Sequence, residues 1–254
     1  MKTTGKLWNG DCLELMGRIP DGKVDMVFVD LPYGTTACDW DSIIPLDSLW
    51  AQYHRVCKKN AAMVFTAAQP FTTTLVVSNR KEFRYCWYWI KSNKTLFQSA
   101  KYQPMRNVEE VCVFYASLPT YHPQGRTRIP ASKVKTCERV ADPTSPYHGC
   151  REGGSLVGKY TSEWTDYPCS AICFDKETGM HTTQKPVDLI EYMIKTYTDP
   201  GQIVLDNTCG SGSTGVACIR TGRKYICIEK DPEIFVTAEK RILEAERMPG
   251  FGLA

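Results

Sequence analysis

The chain has 254 residues, 43% of them hydrophobic and 23% charged, with a formal net charge of +3. This is the size and composition of one large α/β domain, or of one domain carrying an insertion, and it excludes disordered and fibrous chains. No apolar stretch approaches the ~20 residues of a membrane helix, and the small charge does not by itself demand a polyanionic partner.

The opening stretch MKTTGKLWNGDCLELM has neither an apolar core nor a small-residue cleavage site, so a signal peptide is not expected and the expected location is the cytoplasm. The twelve cysteines are then expected as thiols rather than disulfides. In chain order, β-rich apolar runs fall at 24–30, 61–67, 85–90, 111–115, 203–205 and 225–228. Helical patterns fall between them at 45–57, 71–77 and 186–197. The last places Val187, Ile190, Ile194 and Tyr197 on one face, with Pro186 suited to the first turn. Strands alternating with helices predict a doubly wound, mostly parallel α/β sheet.

Two segments interrupt this pattern. From Asn79 to Arg106 there are seven Lys or Arg and one acid, Glu82, interleaved with Trp87, Trp89, Phe97 and Tyr102. Such a stretch reads as a phosphate-contacting face or as a solvated basic face. From 118 to 179 the chain is rich in Pro, Gly, Ser and charge, which predicts an inserted recognition segment. The expected division is therefore 1–117, an insertion at 118–179, and 180–254 completing the first part. Cys137, His148, Cys150, Cys169 and Cys173 lie in or beside this insertion. Their irregular spacing favours unpaired thiols over a zinc site, and no metal is expected. Cys86, Cys112 and Cys227 sit in apolar runs and behave as small hydrophobes.

QIVLDNTCGSGSTGVACIRTGRKYICIEKD, residues 202–231, reads as strand, glycine-rich turn, helix, glycine stop, strand and terminal acid. Gly210, Ser211 and Gly212 permit close approach of a ligand to a helix N-terminus. Glu229, about 20 residues on, can accept both hydroxyls of a ribose. The spacing GSGSTG differs from that of dinucleotide-binding turns, and no hydride-acceptor site is evident. A nucleoside cofactor without a pyrophosphate fits better, and S-adenosylmethionine is the candidate.

The run VDMVFVD stops at Asp30-Leu31-Pro32-Tyr33. At the carboxyl end of a strand in an open α/β sheet, this turn would face whatever occupies the glycine-rich loop. A carboxylate with a backbone carbonyl can accept both N–H groups of an exocyclic amine. Tyr33 offers a ring to stack on a planar base, and Pro32 keeps Leu31 extended.

These residues resemble the Asp-Pro-Pro-Tyr motif of DNA amino-methyltransferases, with Leu31 in place of a proline. HTTQKPVDLIEYMI at 181–194 is similar to their His-x-Thr-x-Lys-Pro motif, Asn9-Gly10-Asp11 to their adenine-contacting acid, and YWIKSNKT to their Trp-x-Lys region. The order, catalytic motif first and cofactor loop last, resembles the β class of N6-adenine and N4-cytosine enzymes. The resemblance implies a Rossmann-like S-adenosylmethionine-dependent methyltransferase fold with circularly permuted motif order and an inserted target-recognition segment.

It further implies that Asp30 and the Leu31 carbonyl accept the target amine, that Pro32 is a spacer and that Tyr33 stacks on the base. Asp11, Asp30, His181, Thr183, Lys185, Asp206, Thr208, Cys209, Gly210, Ser211, Gly212 and Glu229 would form the cofactor site. Thr208 stands where the family usually has an aromatic residue. Lys91, Lys94, Lys101, Arg106, Arg126 and Arg128 are the cations expected on double-stranded DNA. A homodimer and a separately acting restriction endonuclease are the expected protein partners. Asp at the first motif position leans toward adenine, with N4-cytosine as the alternative and an inactive DNA-binding regulator or an RNA enzyme as more distant ones. 5-Methylcytosine chemistry, which requires an activated cysteine, is disfavoured, because an exocyclic amine attacks directly and calls for no cysteine nucleophile.

Overall fold

A computed structural model of the chain describes residues 5–34, 43–139, 158–175 and 184–247. In chain order the strands and helices are β1 (Gly5–Asn9), α1 (Cys12–Met16), β2 (Val24–Asp30), α2 (Leu46–Val56), β3 (Cys57–Ala67), α3 (Phe71–Ser78), β4 (Phe83–Thr95) and β5 (Arg106–Phe114). There follow β6 (Thr127–Arg128), β7 (Lys135–Arg139), β8 (Gly158–Ser162), β9 (Trp164–Thr165) and β10 (Ala171–Cys173). The chain then forms α4 (Val187–Tyr197), β11 (Ile203–Asp206), α5 (Ser213–Arg220), β12 (Lys224–Glu229) and α6 (Pro232–Arg247).

Among the described residues, eight strands form one sheet in the order β1-β12-β11-β2-β3-β5-β4-β10. Every pairing is parallel except the two made by β5, which runs against β3 and β4. The sheet is thus the mostly parallel, Rossmann-like α/β sheet expected. All six apolar runs lie in it, and two short strands, β1 and β10, were not foreseen.

Each face of the sheet carries a core. One joins Met26, Phe28, Val64, Trp87, Trp89 and Val204 to α4 and α5. The other joins Val27, Val29, Phe65 and Leu205 to α1, α2 and α3. Alternate residues of β2 therefore serve opposite faces, which is why its sequence is apolar throughout. Pro186 does not enter α4. It precedes the helix with ψ 133°, and its carbonyl accepts from Ile190 N at 3.3 Å.

The chain divides into two compact units, residues Met1–His122 with Ser170–Ala254, and Pro123–Cys169. The second is narrower than the insertion expected at 118–179. His122 N donates to Thr196 O at 2.7 Å, and β10 lies in the main sheet beside β4, so both flanks belong to the first unit. Within the second unit β6 pairs with β9 and β7 with β8, both antiparallel.

Candidate active site

β2 and β11 are parallel neighbours, with Val204 opposite Met26 and Leu205 opposite Val27. Their carboxyl ends therefore deliver Asp30 and the glycine-rich loop to one edge. Thr208 joins the two: its hydroxyl donates to the Asp30 carbonyl at 3.0 Å, and its N–H donates to Asp206 Oδ1 at 3.1 Å. Thr208, which stands where the resemblance implies an aromatic residue, thus ties the glycine-rich loop to the Asp30–Tyr33 turn.

The Asp30 carboxylate is the centre of a polar cluster. Its Oδ1 accepts from Tyr33 OH at 2.9 Å and from Thr66 Oγ1 at 2.5 Å, while its Oδ2 accepts from Lys185 Nζ at 2.7 Å. Thr66 arrives because β3 pairs in register with β2, Asp30 opposite Thr66. Lys185 Nζ also lies 3.6 Å from Glu109 Oε2, and Glu109 Oε1 accepts from Lys91 Nζ. Two cations and two anions thus alternate in the order Lys91, Glu109, Lys185, Asp30.

Burial pushes the Lys185 ammonium toward neutrality, but the facing Asp30 and Glu109 carboxylates outweigh it, so its pKa stands above the ordinary lysine value. Burial, aided by the charges of Asp30 and Glu109, raises the Tyr33 phenol well above its ordinary value and keeps it a donor. The Tyr33 ring stacks on Phe71, with centroids 4.9 Å apart and planes 22° apart. Leu31 is buried at 4% exposure, which anchors the turn in the core below.

The glycine-rich turn is held from three sides. Gly210 (φ +53°) donates its N–H to Glu229 Oε2 at 2.8 Å, and Asp231 N donates to Glu229 Oε1 at 2.8 Å. Asp206 is buried at 4% exposure. Its Oδ2 accepts from Thr214 Oγ1 at 2.5 Å, and burial raises its carboxyl to about 7, against the opposing pull of the Thr214 hydrogen bond. Arg241 of α6 donates to Ser211 O at 2.7 Å, to Ser211 Oγ at 2.8 Å and to Ser213 Oγ at 3.2 Å.

A side chain at Gly210 would meet nothing within 4 Å, so open space lies above the turn. Asp11 and Glu229 come to the same edge, because β1 pairs in register with β12, Asn9 opposite Glu229. Asp11 caps α1, accepting from Leu13 N at 3.0 Å, while burial raises the Glu229 carboxyl above its ordinary value. Glu229 and Asp11 offer acceptors, and the open side of Gly210 offers room. That set of acceptors suits a nucleoside with ribose hydroxyls and an exocyclic amine.

Of the expected cofactor residues, Asp11, Asp30, Lys185, Asp206, Thr208, Cys209, Gly210, Ser211, Gly212 and Glu229 are brought to this edge, whereas His181 and Thr183 lie outside the described residues. Asp206 and the Cys209 side chain face inward: the first braces the loop, and the second packs in the core beside Val216. Thr66, Phe71, Glu109, Thr214 and Arg241 were missed. Thr214 lies within the glycine-rich stretch itself, while the other four are brought to the site only by the sheet register or by a helix from elsewhere in the chain.

Lys91 is corrected. Its ammonium turns onto Glu109 and over the Trp89 ring at 5.0 Å, so it belongs to the ion cluster and not to an open basic face. Lys94, Lys101 and Arg106 are exposed. In the second unit Arg126 lies over the Trp164 ring at 4.2 Å and Arg128 at 6.0 Å. His148 and Cys150 lie outside the described residues, as does the Cys137 side chain; Cys169 and Cys173 are exposed thiols. No helix among the described residues is long and apolar enough to cross a membrane.

A family model described as DNA methylase, N6_N4_Mtase, matches residues 24–240. The DNA adenine methyltransferase YhdJ of Escherichia coli (strain K12) is 28% identical over 252 residues, covering 92% of this chain and 81% of that protein. The solved M1.HpyAVI–SAM complex superposes with a TM-score of 0.62 at 22% identity, covering 93% of this chain and 98% of that one. The cytosine-N4-specific PvuII DNA methyltransferase gives 0.67 at 16% identity, covering 95% and 91%. Both structures share the fold. Matched by this family model along most of its length, the chain belongs to the N6_N4_Mtase family of DNA methylases.

Proposed function

We propose that the protein transfers a methyl group from S-adenosylmethionine to the N6 amine of adenine in duplex DNA. The observation that carries this reading is Asp30 at the carboxyl end of β2, whose main-chain carbonyl accepts from the Thr208 hydroxyl of the glycine-rich loop at 3.0 Å. An amine acceptor and a nucleoside cradle then share one edge. The adenine-specific name of YhdJ and the S-adenosylmethionine bound in the M1.HpyAVI structure support it.

Glu229, Asp11 and the Gly210–Gly212 turn would hold the cofactor, which supplies an electrophilic sulfonium methyl when bound. The chain's own task is to flip the target base, an unstacking cost of a few kcal/mol, and to place its amine. Asp30 and the Leu31 carbonyl accept the two N–H groups and draw the lone pair out of ring conjugation. Tyr33, already stacked on Phe71, extends an aromatic surface toward the base. Positioning then provides most of the rate. Lys94, Lys101 and Arg106 of the first unit are the cations assigned to the DNA backbone, and Arg126 and Arg128 of the second are assigned to the target site.

The test incubates the protein with S-adenosylmethionine and methylation-free duplex DNA, digests to nucleosides and identifies the product by mass spectrometry. N6-methyladenine is expected. N4-methylcytosine would overturn the choice of base, and no methylated nucleoside would overturn the reading.

A further inference from the structure

Lys185 stands between two carboxylates that it treats unequally. It is hydrogen-bonded to Asp30 Oδ2 at 2.7 Å but stops 3.6 Å short of Glu109 Oε2, which is buried and has no hydrogen bond. A buried carboxylate oxygen without a donor is rare, and here the ammonium 3.6 Å away is drawn onto the other carboxylate. Asp30 is meanwhile saturated on one side, its Oδ1 holding both Tyr33 and Thr66. Only Oδ2 can receive a target N–H, and an ammonium lying on that oxygen drains the negative charge that would polarise the amine.

We propose that Glu109 is a positioning residue that takes over the Lys185 ammonium when the target amine reaches Asp30. This rests on the assignment of Asp30 as the amine acceptor. A movement of roughly 0.8 Å would bring Nζ to the ~2.8 Å of a charge-assisted bond with Glu109 Oε2. The ammonium keeps a carboxylate partner throughout, so no unpaired charge is created in a site that the incoming base is drying. Lys91, bonded to Glu109 Oε1, holds Oε2 toward Lys185. No covalent bond changes and no proton leaves the cluster. One hydrogen bond passes from Asp30 to Glu109, and the target N–H takes its place.

The experiment measures single-turnover methyl transfer to duplex DNA and S-adenosylmethionine affinity for wild type, Glu109→Gln, Lys185→Met and the double variant. Glu109→Gln should lower the transfer rate at least ~10-fold while cofactor affinity stays within about twofold. Because Glu109 acts through Lys185, adding Glu109→Gln to Lys185→Met should cost nothing further. Should Glu109→Gln fail to fold with one cation of the cluster left unmatched, Lys91→Met/Glu109→Gln restores the charge balance and carries the same expectation. A Glu109→Gln rate within twofold of wild type, or effects that simply multiply in the double variant, would overturn the inference. Wild type that methylates no DNA would instead sink the functional proposal beneath it.

Discussion

Asp30 carries the heaviest demand of any single residue, because its carboxylate serves four potential partners at once. Removing it as Asp30→Ala should lower methyl transfer by at least ~100-fold, the scale of losing one preorganised electrostatic partner. Binding of S-adenosylmethionine should be nearly unchanged, since the glycine-rich loop keeps Glu229, Thr214 and Arg241. Isothermal titration beside the nucleoside assay checks both halves, and wild-type turnover in the variant would refute the pocket. Asp206 makes a different prediction. Burial raises its folded-state pKa to about 7, above the ~3.9 of an unfolded chain. A raised carboxyl contributes stability that is full below the unfolded value and is lost as pH rises through the folded one. Asp206→Asn lacks that loss, so its melting temperature relative to wild type should climb between pH 4 and pH 7. A constant offset across that window would show that Asp206 does not titrate there.

At the scale of elements, the packing of α5 against α6 and the reach of the β4–β5 hairpin set the limits. Gly212 adopts φ +80° at the start of α5, and a Cβ there would lie 3.1 to 3.3 Å from Ala238, backbone included. Gly212→Ala should destabilise the fold by ~1–3 kcal/mol, measured by urea unfolding, and weaken cofactor binding with it. The hairpin extends well past the catalytic edge. Asp30 is level with Thr66 and Val111, whereas the last β4–β5 pair is Thr95 with Arg106, five residues or ~16 Å farther along β5. Lys94 and Lys101 lie near its end, with Phe97 and Tyr102 highly exposed between and beyond them. Neutralising both lysines should weaken DNA binding for all sequences alike and reduce the salt slope by ~0.9 per lost phosphate contact. An unchanged slope would remove the hairpin from the interface.

These elements also mark what could be read in advance. The runs at 24–30 and 225–228 were legible because both faces of a central parallel strand are buried and the apolar signal is continuous. β1 and β10 were not. GKLWN is half-exposed and AIC buries one side chain, so pairing with a neighbour and not composition makes them strands. Lys91 was misread for a related reason. In sequence it is one cation among seven, and only the cross-strand approach of β5 reveals Glu109 beside it. The motif residues Asp30, Tyr33, Lys185 and Glu229 were legible because their spacing and order are local or ordered along the chain. Their partners Thr66, Glu109 and Arg241 became visible only through register.

For the whole molecule, the residues of the proposed active site come from a single unit. The first unit gathers Asp30 and the cofactor loop from the two ends of the sequence, because β11 and β12 insert between β1 and β2. Among the described residues, those of the second unit, Pro123–Cys169, are not part of that cluster. That unit holds instead two arginines arranged on an indole: Arg128 pairs across the β6–β9 ladder with Trp164, and Arg126 lies over the same ring at 4.2 Å. A guanidinium stacked on an aromatic face loses little freedom when it forms a bidentate bond, which is the geometry that reads guanine in a major groove. If this unit reads the target, Trp164→Ala should release both arginines and leave S-adenosylmethionine affinity untouched. Discrimination between the cognate site and single-base variants should fall, by up to the ~1–3 kcal/mol that one good base contact is worth. Comparing kcat/KM on cognate and mismatched duplexes isolates this from general DNA affinity, which the lysines of the hairpin would move equally for both. An unchanged ratio with weakened binding would place these arginines on phosphates and leave base readout to other residues of the chain.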